Sequence, residues 1–112
     1  MQLLVNNKEQ ILVEKLKSLL RFGSASTRFK DVFDMYYLSR RVRKTVLRAY
    51  LKLYIYDDPK MRENDILGVV GRLRRVFANR RFMKQLADPV YAWIDDPPED
   101  VTARLVNFLS GI

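Results

Sequence analysis

From Ile11 onward the apolar residues of this chain recur three and four positions apart, and that period restricts its fold more than any other feature. Ile11, Leu12, Leu16, Leu19 and Leu20 set the pattern, and Phe29, Val32, Phe33, Tyr36 and Tyr37 repeat it. A half-buried strand would need apolar and polar residues to alternate. Only Leu51–Tyr56 comes near that pattern, and it continues a helical stripe already begun. The expectation is an all-α fold, a compact bundle of five to six helices in one domain spanning residues 1–112.

The boundaries follow from capping chemistry. The first helix is expected over residues 6–22, with Asn7 and Gln10 as a capping pair and Gly23 as its stop. After the small-residue link Gly23–Ser26, a second helix runs from Arg28 to about Arg40, capped by Ser26 or Thr27. So short a connection predicts that these two helices open the bundle as an antiparallel hairpin. The third is expected from about Val42 to Ile55, ended by Asp57-Asp58-Pro59. The fourth starts near Asn64 or Asp65, turns Ile66, Leu67, Val69, Val70, Leu73, Val76 and Phe77 inward, and contains Gly68 and Gly71. Each interior glycine costs about 1 kcal/mol of helix propensity, which predicts close helix–helix packing there. A short helix over 81–86 precedes a turn at Asp88-Pro89. A last helix, fed by Asp95-Asp96-Pro97-Pro98-Glu99, buries Val101, Leu105, Phe108 and Leu109.

Composition limits the chemistry. The chain has no cysteine and no histidine, so disulfides, thiolate or imidazole metal ligands and Ser-His-Asp or Cys-His centres are excluded. Carboxylates, lysines, tyrosines and hydroxyls remain. Residues 1–9 lack the sustained apolar stretch of a secretory leader, and no run approaches the roughly 20 apolar residues of a membrane helix, so a cytoplasmic location without membrane partners is expected. With 21 Lys and Arg against 13 Asp and Glu, the net charge is +8, which favours polyanionic partners: nucleic acid, nucleotides or an acidic protein.

One constellation carries more information. On the second helix Asp31 and Asp34 stand three apart and share a face. In a hairpin, Lys15 of the first helix comes within reach of either. Such a group is an inter-helix salt bridge, or it is a lysine held by carboxylates so that its ammonium faces a phosphate as a point charge. Two-metal catalysis needs carboxylates converging on ions about 4 Å apart, which one such pair does not supply.

These residues also carry a resemblance. The stretch Asn7 to Leu16 with its Glu14-Lys15-Leu16, the spacer Arg21–Thr27, and Arg28-Phe29-Lys30-Asp31-Val32-Phe33-Asp34-Met35-Tyr36-Tyr37-Leu38 are similar to the C-terminal half of AbiEii/AbiGii-type nucleotidyltransferase toxins. That family belongs to the DNA polymerase β-like nucleotidyltransferases and acts in bacterial toxin–antitoxin and phage-defence (abortive infection) systems. The likeness covers about the first third of the chain, and beyond Ser39 it is one of helical character and of the Trp93 and Phe108-Leu109 region. It implies that Lys15 contacts nucleotide phosphates and that Asp31 orients Lys15 or assists the reacting group, with Glu14, Arg28 and Asp34 in support.

The family's catalytic half carries a Gly-rich strand–turn followed by an Asp-x-Asp metal pair, and this chain has neither; Asp57-Asp58 and Asp95-Asp96 are adjacent, not spaced. The resemblance therefore implies no metal ligands here and no transfer by this chain alone. Mg2+ and a nucleoside triphosphate are expected only with a separate catalytic half, and a cognate antitoxin and RNA or nucleotide are the other partners it implies. Arg72, Arg74 and Arg75, with the basic runs Arg40–Lys44 and Arg80-Arg81, form the expected substrate or nucleic-acid surface. A small basic module that binds nucleic acid or an acidic protein is the alternative reading. The tyrosines are expected chiefly in the core.

Overall fold

The side chain of Asn7 accepts a hydrogen bond from the Gln10 amide (2.8 Å) and so starts the first helix, α1, at Lys8–Phe22. A computed structural model describes residues 7–112 of the chain; residue 6, the expected first helical position, and the leader reading of 1–6 lie outside the described residues. Gln10 does not complete a capping box. Its side chain instead reaches the Tyr54 hydroxyl (3.2 Å) and Glu14 (3.3 Å). Gly23 ends α1 with φ 58°, a left-handed conformation that suits glycine, and a 3-10 turn over Gly23–Ala25 follows.

The second helix, α2 (Phe29–Ser39), runs back along α1. Neither Ser26 nor Thr27 caps it, contrary to the sequence reading. Arg28 holds the cap position, and the Ser26 hydroxyl accepts from the Arg28 amide (3.2 Å), closing the turn one residue earlier. Next comes α3 (Lys44–Leu51), which passes into a wider π turn over Lys52–Tyr56 where continuous α-helix was expected. The wide turn leaves Leu51 and Ile55 fully buried and exposes Leu53. It also sets the Tyr50 and Tyr54 rings in a stack at 5.6 Å, with their hydroxyls on Asn7 (3.1 Å) and Gln10.

The chain then forms α4 (Ile66–Ala78, capped by Asp65), α5 (Arg80–Leu86, capped by Asn79) and α6 (Pro98–Ser110, opened by proline with Glu99 and Asp100 in its first turn). The fold is thus an all-α bundle of six helices among the described residues, begun by an antiparallel hairpin, as the period predicted. One apolar cluster draws on every helix, with α2 packed between α1 and α6 and α4 against α6. Truncating a fully buried member such as Phe33 removes contacts on all sides and costs about 3–5 kcal/mol.

Three further expectations are corrected. Leu67 is 79% exposed, because the α4 stripe that meets the core is Val69, Val70, Leu73 and Val76, and Leu67 stands off that stripe. Tyr37 is exposed as well, lying outside the buried face of Phe29, Val32, Phe33 and Tyr36. Nor do the glycines mark a helix crossing: a Cβ on Gly71 would meet nothing within 4 Å, and one on Gly68 would meet only the Glu63–Asp65 approach to its own helix.

Candidate functional site

The apolar stripe of α1 points Leu12, Leu16 and Leu19 inward, which leaves Lys15 at the edge of that stripe, facing α2. On α2 the buried residues Val32, Phe33, Met35 and Tyr36 likewise leave Asp31 and Asp34 along the α1 seam. The antiparallel pairing brings the three together. Lys15 Nζ lies 2.9 Å from Asp31 Oδ1 and 3.3 Å from Asp34 Oδ2, with all three side chains about a fifth to a quarter exposed. Both carboxylates therefore hold one ammonium.

Burial alone would lower the Lys15 pKa, but the hydrogen bonds and charges of Asp31 and Asp34 outweigh it and raise the pKa above 10.5. Lys15 is consequently a fixed cation at neutral pH and is not available as a general base or amine nucleophile. An ammonium has three protons, and Asp31 and Asp34 take two of them. The third can serve a ligand.

The same lysine lines a shallow hollow of about 230 Å3 with Ile11, Glu14, Ser18, Arg28 and Asp31. Of the five site residues that the resemblance implies, Glu14, Lys15, Arg28 and Asp31 line this hollow, and Asp34 adjoins it through Lys15. Two cations (Lys15, Arg28) face three carboxylates (Glu14, Asp31, Asp34), so the surroundings carry a formal charge of −1 and have little surplus attraction for an anion.

Sequence reasoning missed a third support. Trp93 Nε1 donates to Asp34 Oδ1 (2.8 Å), the oxygen that Lys15 does not use, and its ring packs on Tyr37 (5.2 Å), over which Arg41 lies at 3.7 Å. The loop before α6 is thereby tied to the lysine through one carboxylate. Tyr36 ties it again, donating to Asp96 (2.6 Å) and accepting from Arg40 (2.8 Å) and Arg104 (3.0 Å). No local pattern signals the contacts of Trp93, Asp96 and Arg104, since their partners lie about sixty residues away.

Glu9 was missed too, though a signal existed. It lies on the stripe Glu9, Leu12, Val13, Leu16, Leu19, Leu20 and is 3% exposed. Its carboxylate accepts from the Arg43 amide (2.9 Å) and guanidinium (3.3 Å) and so caps α3 from α1. Burial opposes its charge, but these bonds prevail and lower its pKa below 4.5.

The three arginines expected to form one surface are divided. Arg74 lies along α6 beside Thr102, Val106 and Asn107. Arg72 and Arg75 face the other way, onto the Gly23–Ala25 turn, together with Arg62. Residues three apart share a helix face and residues one or two apart do not, which is why the run divides in this way.

Among the described residues no three Asp or Glu side chains converge as metal ligands, and Asp31 and Asp34 are already committed to Lys15. A Mg2+ ion at that pair would have to displace the ammonium, so these residues do not fit the role of metal ligands. No described helix is long and apolar enough to cross a membrane. Compared with known protein families, with curated proteins and with solved structures, the chain has no significant match.

Proposed function

We propose that this chain is the helical, substrate-side part of a nucleotidyltransferase of the AbiEii/AbiGii toxin type, which completes a nucleotide site and carries out no transfer alone. The observation that supports this reading is the seating of Lys15 between Asp31 and Asp34 at the edge of a hollow. Asp31 and Asp34 orient the ammonium; Lys15 donates its remaining proton to a phosphate oxygen as a fixed point charge. A lysine preset in this way gives up little side-chain freedom when a phosphate arrives.

The hollow's slightly negative surroundings fit a half-site, because a nucleotide would need further positive charge from a partner half. That half would bring the Mg2+ and bind the nucleoside triphosphate jointly. No Asp or Glu of this chain is assigned to the ion. A cognate antitoxin that keeps the halves apart or blocks the hollow belongs to the same reading.

The test is a magnesium-dependent transfer assay with labelled nucleoside triphosphates, run on this chain alone and with a supplied half carrying the Gly-rich turn and Asp-x-Asp pair. Transfer only in the mixture, abolished by Lys15→Ala or Asp31→Ala, is expected. Equal transfer by this chain alone would overturn the reading.

A further inference from the structure

At the end of α1, beyond Lys15, lies a larger concavity of about 510 Å3 lined by Phe22, the Gly23-Ser24-Ala25 turn and the side chains of Arg62, Arg72 and Arg75. Three arginines and no acidic residue are among its lining residues. None of the three arginine side chains has an ion-pair or hydrogen-bond partner among the described residues. Of the three, Arg72 lies against the turn. A Cβ at Gly23 would stand 3.1 Å from Arg72 Nη2, so the guanidinium lies directly over glycine backbone. Lys60, Arg21 and Arg62 extend the cationic lining into an adjoining hollow, where the buried Glu63 is the one acidic residue.

We propose that Arg62, Arg72 and Arg75 with the Gly23–Ala25 turn form a phosphate-binding site separate from the Lys15 hollow. Planar guanidinium forks match the oxygens of a phosphate and are less strongly hydrated than ammonium groups. Three of them converging in a concavity without a carboxylate leave a net positive charge that a compact oxyanion can neutralise, whereas a flat acidic protein face meets them less well. The Ser24 hydroxyl and the turn's backbone supply uncharged polar groups at the same wall. The phosphate is either that of a free nucleotide or a linkage in a nucleic-acid strand. Eight residues of helix, about 12 Å, separate Gly23 from Lys15, so the two sites can fail independently.

The full chain is titrated with pyrophosphate and, separately, with a short single-stranded RNA lacking terminal phosphates, following the backbone amides of residues 23–25 by NMR. Each lost charged hydrogen bond is worth about a factor of ten, so Arg72→Gln/Arg75→Gln weakens binding by about tenfold or more. Lys8→Gln/Lys44→Gln removes the same charge from exposed positions remote from this concavity and leaves affinity within about twofold. Arg72→Lys/Arg75→Lys, which keeps the charge and loses the forks, falls between the two doubles. Binding of pyrophosphate alone assigns the site to free nucleotide; binding of RNA, with a salt slope reduced by about 1 to 2 in the arginine double, assigns it to a strand. The proposal is overturned if neither probe shifts residues 23–25, or if the two charge-removing doubles weaken binding equally.

Discussion

Replacing Lys15 with methionine keeps the length and apolar stem of the side chain and removes only the ammonium from between Asp31 and Asp34. At an effective dielectric of about 20, a unit pair at these distances gains roughly 5–6 kcal/mol, against desolvation and the mutual repulsion of the two carboxylates. Exposed pairs net below about 1 kcal/mol, and removing one partner of a fully buried pair costs about 3–5 kcal/mol. Side chains 17–26% exposed lie between these limits, so the expected loss is about 2 kcal/mol. In a domain of this size that is a fall in Tm of about 8 °C. Chemical denaturation of Lys15→Met, Asp31→Asn and the double variant measures it, and a coupling of about 1 kcal/mol or more is expected. The pH dependence gives an independent check. Lys15 has a raised folded-state pKa, so its contribution is complete below about 10.5 and is lost as pH rises through the folded value. Wild type should lose stability over that alkaline range by more than Lys15→Met does. A loss below about 0.5 kcal/mol with additive doubles would refute the reasoning, because the ammonium would then be solvated rather than held.

Glu9→Gln should destabilise the fold by about 2 kcal/mol, since it leaves the Arg43 amide and guanidinium facing a neutral amide in a buried place. Glu9 has a lowered folded pKa, so its contribution is present above about 4.5 and is lost as pH falls through the folded value; acid titration of the variant should be flatter there. Trp93→Phe should cost about 1 kcal/mol by removing the indole donor from Asp34, and Asp34→Asn should shift the emission of this sole tryptophan, both read by denaturation and fluorescence. Leu67→Lys should change stability by less than about 0.5 kcal/mol, in contrast to Leu73→Ala at about 2–5 kcal/mol.

The hairpin, an all-α bundle of five to six helices and the approach of Lys15 to Asp31 or Asp34 were readable in the sequence because they depend on local period, on capping residues and on one short link. The contacts that brace the site were not. Trp93 reaches Asp34, and Tyr36 reaches Asp96 and Arg104, only because α6 packs on α2, a pairing that no local pattern encodes. Leu67 shows a second reason: an apolar residue in a helical window is assigned inward by its type, while the fold uses a narrower stripe. The division of Arg72 and Arg75 from Arg74 was present in the 100° step of a helix, but which face met the Gly23 turn depended on tertiary packing. Glu9 was legible in principle, as a charge lying within an apolar stripe.

The most direct test of the central claim is nucleotide affinity at the Lys15 hollow in the presence of a catalytic half, using a non-hydrolysable nucleoside triphosphate and calorimetry. One charge-assisted contact to phosphate predicts that Lys15→Ala weakens binding about tenfold or more while Lys8→Ala leaves it unchanged. Unchanged affinity in a folded Lys15→Ala variant would contradict the proposal, and Lys15 would then be only the salt bridge that joins α1 to α2.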